Sequence, residues 1–313
     1  LLNERRIMKK IRIRVPATTA NLGPGFDIFG ASLSIYNELE ISLSSDPKKA
    51  KFVIVGEGKK ILPKNEKNIL WKAMDAVFGL LDVSDKYTLS SFNIKLTNNI
   101  PLSSGLGSSS AARTAGIVAA NAICGNKLTK SEMLDLGIKL EGHPDNIVPA
   151  FYGGVCISIS GPEDKFEVVK LPIPKMQAVV CTPGFELATE RSRNILPKKY
   201  DIKDITFNGA RIALLTKAFC TNDFKLLEQA MQDKIHQPYR AKLIPVMQEL
   251  ISSAVKAGAY GACLSGSGPS MIAFCNSKKA KEISKVMAGG WKKETVPVKQ
   301  FILDFDGDGV KII

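Results

Sequence analysis

The feature that most constrains this chain is a glycine- and serine-rich loop at residues 101–110, Pro-Leu-Ser-Ser-Gly-Leu-Gly-Ser-Ser-Ser. Residues 92–97 before it alternate between apolar and polar side chains, which predicts a strand. Residues 109–124 after it are rich in alanine and free of proline, which predicts a buried helix. Glycines let a backbone approach a ligand closely, and the free N–H groups of a helix start attract an anion. The segment therefore predicts a phosphate site, with a tight turn capped by serine as the plainer alternative.

The familiar nucleotide-binding loops do not occur in this sequence. The pattern GxxxxGK[ST] is absent, and GxGxxG fails because Gly105 and Gly107 are followed by three serines. No His-Arg-Asp or Asp-Phe-Gly tripeptide marks a protein kinase. The loop therefore belongs to another class of phosphate site.

The rest of the chain alternates between strand and helix patterns. Strands are predicted at 10–15, 33–43, 51–55, 92–97, 153–159, 177–182, 271–275 and 298–305, with Pro16 ending the first and the next two arranged like a hairpin. Helices are predicted at 66–81, 109–124, 131–141, 205–232, 243–257 and 278–288. This mixture predicts an α+β fold. Proline and glycine become frequent around residues 161–174, so we place a boundary there between two domains, 8–160 and 161–313.

The net charge of +13 raises the question of nucleic-acid binding. Lysines cluster near the C-terminus with the spacing of a solvated helix face, at positions 278, 279, 281, 285, 292 and 293. Aromatic residues make up only 7% of the chain and do not interleave with these lysines, as a single-strand binding surface would require. The pattern favours a basic surface that also attracts a polyanionic small ligand.

Six single cysteines carry no paired spacing and predict neither a zinc site nor a disulfide framework. Each lies among apolar residues, which predicts buried, reduced thiols. No apolar run is long enough to span a bilayer, and the basic first ten residues lack the apolar stretch of a signal peptide. The expected location is cytoplasmic.

Two more glycine-rich segments accompany the loop at 101–110. Residues 16–27 read Pro-Ala-Thr-Thr-Ala-Asn-Leu-Gly-Pro-Gly-Phe-Asp, and residues 261–270 read Gly-Ala-Cys-Leu-Ser-Gly-Ser-Gly-Pro-Ser. In order and spacing the three segments resemble motifs 1, 2 and 3 of the GHMP kinases, which phosphorylate small molecules, and the resemblance covers essentially the whole chain. It implies the GHMP kinase fold: an N-terminal domain like domain 2 of ribosomal protein S5 and a C-terminal ferredoxin-like domain.

Three other segments resemble the homoserine kinase branch of that family. They are Glu141-Gly-His-Pro-Asp-Asn146, Thr189-x-x-x-Arg193-x-Ile-Leu-Pro and Asp233-x-Ile-x-x-Pro-Tyr-Arg240. Other branches usually carry Ser-Gly-x-Asp at the first of these places. The resemblance implies transfer of the γ-phosphate of ATP to the hydroxyl of L-homoserine, on the route to threonine.

The resemblance also assigns side chains to the amino-acid substrate. Arg193 and Arg240 would bind its carboxylate, since a planar guanidinium can bond both oxygens, and Asp27 would bind its ammonium. Further polar contacts would come from Asn21, His143 and Thr189.

Catalysis is assigned by the same resemblance to Asn146, beside the reacting hydroxyl, and to Arg193. Asp145 is interpreted as structural, in which case the γ-phosphate itself takes the proton. His236 is interpreted as structural.

For ATP, the resemblance places the middle loop around the phosphates and Asn68 near the adenine, where a helix N-cap is an equally good interpretation. The loop residues are Pro101, Leu102, Ser103, Ser104, Gly105, Leu106, Gly107, Ser108, Ser109 and Ser110. A side chain at Gly107 would obstruct the phosphates. Mg²⁺ prefers hard oxygen ligands, and the candidates are Ser109 and Glu141, with Ser108 and Asp135 as alternatives.

The expected partners are ATP and L-homoserine, with a homodimer as the assembly to be tested and with neither nucleic acid nor a membrane. The alternatives are another GHMP small-alcohol kinase, such as one of the mevalonate pathway, and a basic nucleic-acid-binding protein.

Overall fold

A computed structural model describes residues 10–162, 165–292 and 295–313 of the chain. Most of the basic segment at the start of the sequence, the predicted domain start at residue 8 and Lys293 lie outside the described residues. The described chain forms two sheets covered by helices, which confirms the α+β prediction.

In the part of the chain that the structure describes, eleven strands build the two sheets. They are β1 (Ile11–Ala20), β2 (Phe29–Leu43), β3 (Phe52–Gly56), β4 (Phe92–Asn98), β5 (Val155–Ser160), β6 (Phe166–Leu171), β7 (Gln177–Pro183), β8 (Gly261–Leu264), β9 (Met271–Cys275), β10 (Val298–Leu303) and β11 (Lys311–Ile312). The first sheet has the order β11-β1-β2-β4-β3, extended by β5 and β6 beside β2. The second sheet has the order β10-β7-β9-β8 and is antiparallel throughout.

Two sequence predictions about the first sheet are wrong. Pro16 does not end β1, because the strand shifts register between Pro16 and Ala17 and continues to Ala20. Such an irregularity accommodates a residue that has no N–H to give to the ladder. The second and third strands do not form a hairpin, because β4 lies between them, antiparallel to β2 and parallel to β3.

Ten α-helices of the described residues pack on these sheets. They are α1 (Ile69–Leu80), α2 (Ser108–Ile123), α3 (Lys130–Glu141), α4 (Pro144–Tyr152), α5 (Thr189–Asn194), α6 (Ile202–Thr221), α7 (Leu227–Ala230), α8 (Gln237–Arg240), α9 (Met247–Lys256) and α10 (Ala280–Lys292). The predicted single helix at 205–232 is wrong, because α6 ends at Asn222 in the left-handed conformation, φ 56°. Asparagine tolerates this conformation better than most residues, and it makes an effective helix end.

The small residues of α2 let it lie deep in the first core, directly against α1. At Gly116 a Cβ would lie 2.5 Å from the carbonyl oxygen of Leu70, so only glycine permits this approach. The helix therefore starts at a position set by packing on the first sheet.

The second sheet is buried on both faces. Alternate residues of β7 point to opposite sides: Ala178 and Val180 join the core around the first sheet, and Val179 and Cys181 join a second core beneath α9 and α10. This explains the continuous apolar run in β7, which is typical of a strand covered on both faces.

The chain crosses between the sheets more than once. β6 pairs with β5 in the first sheet, and β11 returns from the C-terminal end to pair with β1. The second sheet begins at β7. The domain division at 160/161 stays a prediction.

The cysteines are all free, and Cys156, Cys181, Cys263 and Cys275 are buried. Cys220 contradicts the expectation of burial, because it is exposed near the end of α6. Among the described helices, none combines the length and the apolar character needed to cross a bilayer.

We expect Gly30→Ala to destabilise the protein. A Cβ at this buried position of β2 would lie 1.8 Å from the carbonyl oxygen of Asp145 at the start of α4, and overpacking of this kind costs about 1–3 kcal/mol. The matched control is Gly209→Ala, since Gly209 lies exposed within α6 with no atom within 4 Å of its Cβ position. The control should stabilise the protein by about 0.5–1 kcal/mol.

Chemical denaturation of both variants measures these changes in the free energy of unfolding. Equal stability of Gly30→Ala and the wild type would contradict the described contact between β2 and α4.

Candidate active site

The three glycine-rich segments meet at one place between the two sheets. The Ser265 hydroxyl lies 2.7 Å from the carbonyl oxygen of Gly105 and 2.9 Å from the Thr19 hydroxyl. Asn21 donates to the Gly266 carbonyl oxygen over 3.0 Å. A Cβ at Gly105 would lie 2.1 Å from the Ser265 carbonyl oxygen, so glycine is required there by space as well as by its φ of 81°. The first and last segments thus hold the middle loop.

The middle loop leads directly into α2, which begins at Ser108. The N-cap is Gly107 in the left-handed conformation, φ 68°, without a side-chain cap. The first N–H groups of a helix have no partner within it, and they carry the positive end of the helix dipole. This end of α2 is therefore suited to bind an anion.

The expected reason for Gly107 needs a correction. A Cβ there would point at the Thr18 hydroxyl, 1.9 Å away, and not toward the open side of the loop. Glycine is needed at this position because the loop packs on β1.

Two cavities meet along the loop, and both are lined by Ser103, Ser108 and Ser109. One is polar and charged; its other lining residues are Asn21, Phe26, Asp27, Ser104, Gly105, Gly107, Glu141, His143, Asp145, Asn146, Thr189, Arg193, Arg240, Gly266 and Ser267. The other is mainly apolar and is lined further by Asn37, Leu62, Pro63, Lys67, Asn68, Ile69, Leu96, Asn98, Leu102 and Ala112. The helix start of α2 lies where they join.

Asn68 is the N-cap of α1. Its side-chain oxygen accepts from the Leu70 N–H at 2.9 Å, and its amide donates to the Pro63 carbonyl oxygen at 2.6 Å. The capping interpretation is confirmed, and the residue also lines the apolar cavity.

Arg193 and Asp27 form a two-pronged ion pair. The two terminal nitrogens of Arg193 donate to the two carboxylate oxygens of Asp27 at 3.0 and 2.6 Å. Burial would lower the pKa of Arg193, but the bonds to Asp27 and its charge outweigh it and raise that pKa. The forked contact expected with a substrate carboxylate is made here with Asp27.

Arg240 lies beside this pair and is only 1% exposed. Its Nε donates to the Ser192 carbonyl oxygen at 3.2 Å, and its Nη1 to the Gly266 carbonyl oxygen at 3.0 Å and to Nδ1 of His236 at 3.1 Å. Among the described residues, no carboxylate lies within ion-pair distance of it. Burial and the nearby Arg193 charge lower the pKa of Arg240 to about 10, so it stays cationic at neutral pH.

The start of α4 carries a chain of polar contacts into the cavity. Asp145 bonds Nδ1 of His143 at 2.7 Å and accepts from the Asn146 amide at 3.3 Å. The Thr18 hydroxyl donates to the Asn146 oxygen at 2.7 Å. Burial would lower the pKa of His143, but the bond to Asp145 and its charge outweigh it and raise that pKa. These contacts orient the Asn146 amide, with its oxygen bonded to Thr18 and one of its two amide hydrogens bonded to Asp145.

Glu141, at the end of α3, faces the start of α2. One of its oxygens accepts from the Ser109 and Ser110 hydroxyls at 2.7 and 2.9 Å, and the other pairs with Arg113. Ser109 and Glu141 are thus adjacent, as a shared metal ion requires, while the alternative Asp135 is not among the described residues that line the cavity. A carboxylate and a hydroxyl suit Mg²⁺, which keeps several waters in addition.

Asp27, His143 and Asp145 also bring potential ligand atoms within 4.8 Å of one another. Asp27 is bonded to Arg193, and His143 to Asp145. The three side chains are therefore already engaged, in an ion pair between Asp27 and Arg193 and a hydrogen bond between His143 and Asp145.

The predicted substrate residues all line the charged cavity. In the predicted phosphate loop, Leu106 and Ser110 are buried and do not line it.

Sequence reasoning missed Phe26, whose ring lies 5.3 and 5.4 Å from the guanidinium carbons of Arg193 and Arg240. It also missed Thr18 and Arg113, and it took His236 as merely structural. The only signal for His236 was its spacing of four residues from Arg240, which brings two side chains together on one helical turn.

Family comparisons agree with this geometry. Residues 68–154 match the GHMP kinases N terminal domain, and residues 215–293 match the GHMP kinases C terminal domain.

Similar proteins extend the match over most of the chain. A homoserine kinase of Carboxydothermus hydrogenoformans is 44% identical over 86% of each chain. A homoserine kinase of Desulfitobacterium hafniense is 36% identical over 97% of this chain and 100% of its own. The crystal structure of a homoserine kinase from Cytophaga hutchinsonii superposes with a TM-score of 0.85 at 30% identity and covers 100% of both chains. The chain therefore belongs to the GHMP kinases and, within them, to the homoserine kinase family.

Proposed function

We propose that this protein transfers the γ-phosphate of ATP to the hydroxyl of L-homoserine and forms O-phospho-L-homoserine. The observation that carries the proposal is Arg240, a buried cation with only neutral acceptors, in a cavity that begins at the start of α2. A buried charge without a counter-ion is costly. Such a cation is stabilised when an anionic substrate group completes its contacts. The similarity to homoserine kinases supports the carboxylate of homoserine as that group.

ATP would lie across the two cavities. The apolar cavity beside Asn68 and Leu62 would hold the adenine, and the start of α2 would hold the phosphates through N–H groups and the serine hydroxyls. Because the cavities join at Ser108 and Ser109, the terminal phosphate would reach the charged cavity.

Mg²⁺ would be held by Ser109 and Glu141, whose oxygens lie 2.7 Å apart. When bound, the ion would neutralise charge on the phosphate oxygens. The contact of Arg113 with the second Glu141 oxygen would keep the carboxylate turned toward Ser109.

The amino-acid substrate would lie against the Asp27–Arg193 pair. Its ammonium would bond Asp27 and its carboxylate would bond Arg193 and Arg240, so the zwitterion would extend the existing pair without leaving a charge unmatched. His143 and Thr189, on the cavity wall, would add polar contacts.

Asn146 would act at the reacting hydroxyl. Since Thr18 bonds its oxygen and Asp145 takes one amide hydrogen, the second amide N–H is available to the transferring group. Asp145 is occupied by His143 and Asn146, so it would not serve as the base. The hydroxyl proton would pass to the phosphate itself, and catalysis would come from positioning and charge stabilisation.

With ATP and Mg²⁺, the purified protein should phosphorylate L-homoserine at least about 10-fold faster in kcat/KM than mevalonate, because mevalonate lacks the ammonium that Asp27 would bond. Galactose lacks both charged groups and should be slower still. A coupled ADP-release assay over these three alcohols measures this. Mevalonate turnover equal to that of homoserine would refute the assignment.

Arg193→Ala should lower kcat/KM for homoserine about 10- to 150-fold, the value of a charge-assisted hydrogen bond of about 1.5–3 kcal/mol, and leave the KM for ATP unchanged. Arg193→Lys should recover only part of the loss, since an ammonium cannot reproduce the planar fork. The matched control is Arg191→Ala, an exposed arginine on the same helix, which should stay within about twofold.

Steady-state kinetics with both substrates varied decide this prediction. If Arg193→Ala kept the wild-type kcat/KM for homoserine, Arg193 would not contact the substrate.

Asn146→Ala should lower kcat about 10- to 100-fold with smaller changes in either KM, because its contact strengthens toward the transition state. Asn194→Ala, at an exposed position, is the control and should be unchanged. Single-turnover phosphorylation of homoserine separates the chemical step from product release. A normal single-turnover rate would remove Asn146 from catalysis.

A further inference from the structure

His236 is fully buried between the first glycine-rich segment and Arg240. Its Nε2 lies 2.7 Å from the Gly23 carbonyl oxygen, and its Nδ1 lies 3.1 Å from Nη1 of Arg240. The ring also lies 5.4 Å from the ring of Phe26, on which both arginines rest. The histidine thus touches the Arg240 guanidinium without lining the cavity itself.

The protonation state of the ring follows from these partners. A carbonyl oxygen only accepts, so Nε2 carries the hydrogen, and Arg240 only donates, so Nδ1 carries none. Burial lowers the pKa of His236, against the opposing charge of Asp233, whose carboxylate lies 3.5 Å from Nε2. The neutral ring is therefore an acceptor aimed at Arg240.

The hydrogens of Arg240 can be counted against its partners. Nε has one hydrogen and gives it to Ser192, and Nη1 has two and gives them to Gly266 and His236. Within the described part of the chain, only Nη2 keeps both hydrogens for a ligand. The plane and rotation of the guanidinium are therefore set by these three acceptors, of which His236 is the only side chain.

We propose that His236 is a positioning residue for substrate recognition: its Nδ1 holds the Arg240 guanidinium so that Nη2 faces the carboxylate of the bound amino acid. This inference rests on the proposed function. The inference adds a role for a residue that does not touch the substrate. It also implies that Arg240 contacts the carboxylate through one nitrogen, Nη2.

Two variants separate this role from simple packing. In H236Q, Nε2 is as many bonds from Cβ as the histidine Nε2, so the bond to Gly23 is kept and the acceptor for Arg240 is lost. In H236N, Oδ1 is as many bonds from Cβ as Nδ1, so the acceptor is kept and the bond to Gly23 is lost. H236N removes one more heavy atom from the buried site than H236Q does.

H236Q should raise the KM for homoserine about 5- to 10-fold, the value of one lost hydrogen bond that orients a charged group, with kcat and the KM for ATP within about twofold of wild type. H236N should keep the KM for homoserine within about twofold. Thermal unfolding of both variants reports the packing loss, which should be somewhat larger in H236N. An equal KM for homoserine in H236Q and H236N would overturn the proposal.

A second measurement uses the wild-type protein and does not depend on how the variants fold. The ¹⁵N resonance of His236 Nδ1 should show an unprotonated nitrogen and should shift when homoserine is added, because Arg240 then shares its charge with the carboxylate. Addition of ATP alone should leave it unchanged. The chain has two histidines, and H143Q assigns their signals. A signal unmoved by saturating homoserine would refute the role of His236.

Wild-type turnover is measured first. If homoserine is not phosphorylated, the proposed function fails. If it is phosphorylated and H236Q behaves like wild type, only the role of His236 fails.

Discussion

The contact between Ser265 and Gly105 is the constraint on which the rest of the site depends. The Ser265 hydroxyl contacts both the Gly105 carbonyl oxygen and the Thr19 hydroxyl. The Ser265 carbonyl oxygen lies only 2.1 Å from the position that a Cβ of Gly105 would take. The late segment begins with β8 of the second sheet, and the middle loop leads into α2, which is packed on the first sheet. Their close approach therefore sets the distance between the proposed phosphate site at α2 and the amino-acid groups around Arg240.

The second organising feature is charge balance. Each acid of the charged cavity has one basic partner: Asp27 pairs with Arg193, Glu141 with Arg113, and Asp145 is hydrogen-bonded to His143. Arg240 differs, because its described partners are two carbonyl oxygens and a neutral ring. Buried cations of this kind keep their charge only where the surrounding dipoles compensate it. Among the described residues, no carboxylate pairs directly with Arg240, which suits an anionic ligand group and explains why neutral acceptors, held in place, are needed around it.

Much of the fold follows from local patterns. The small-residue run after the loop predicts α2 within one residue at each end, and Asn68 caps α1 as its residue type favours. The failures occur where context overrides pattern. Pro16 lies at a register shift, Asn222 ends a helix whose apolar period continues, and β4 separates two strands that are adjacent in sequence. Each depends on backbone geometry or on strand order, which side-chain periodicity does not encode.

The sequence by itself determined the three glycine-rich segments, the residue types of the site and, through their resemblance, the family. Only the tertiary structure decided how those groups use one another. It shows that Asp27 and Arg193 are bonded together, that Gly107 is required by Thr18, and that His236 faces Arg240. The physical reason is that hydrogen bonds are short and directional. Asp27 and Arg193 are 166 residues apart in the sequence. The packing of the sheets and helices that carry them sets their distance and orientation, and the order of the residues along the chain does not.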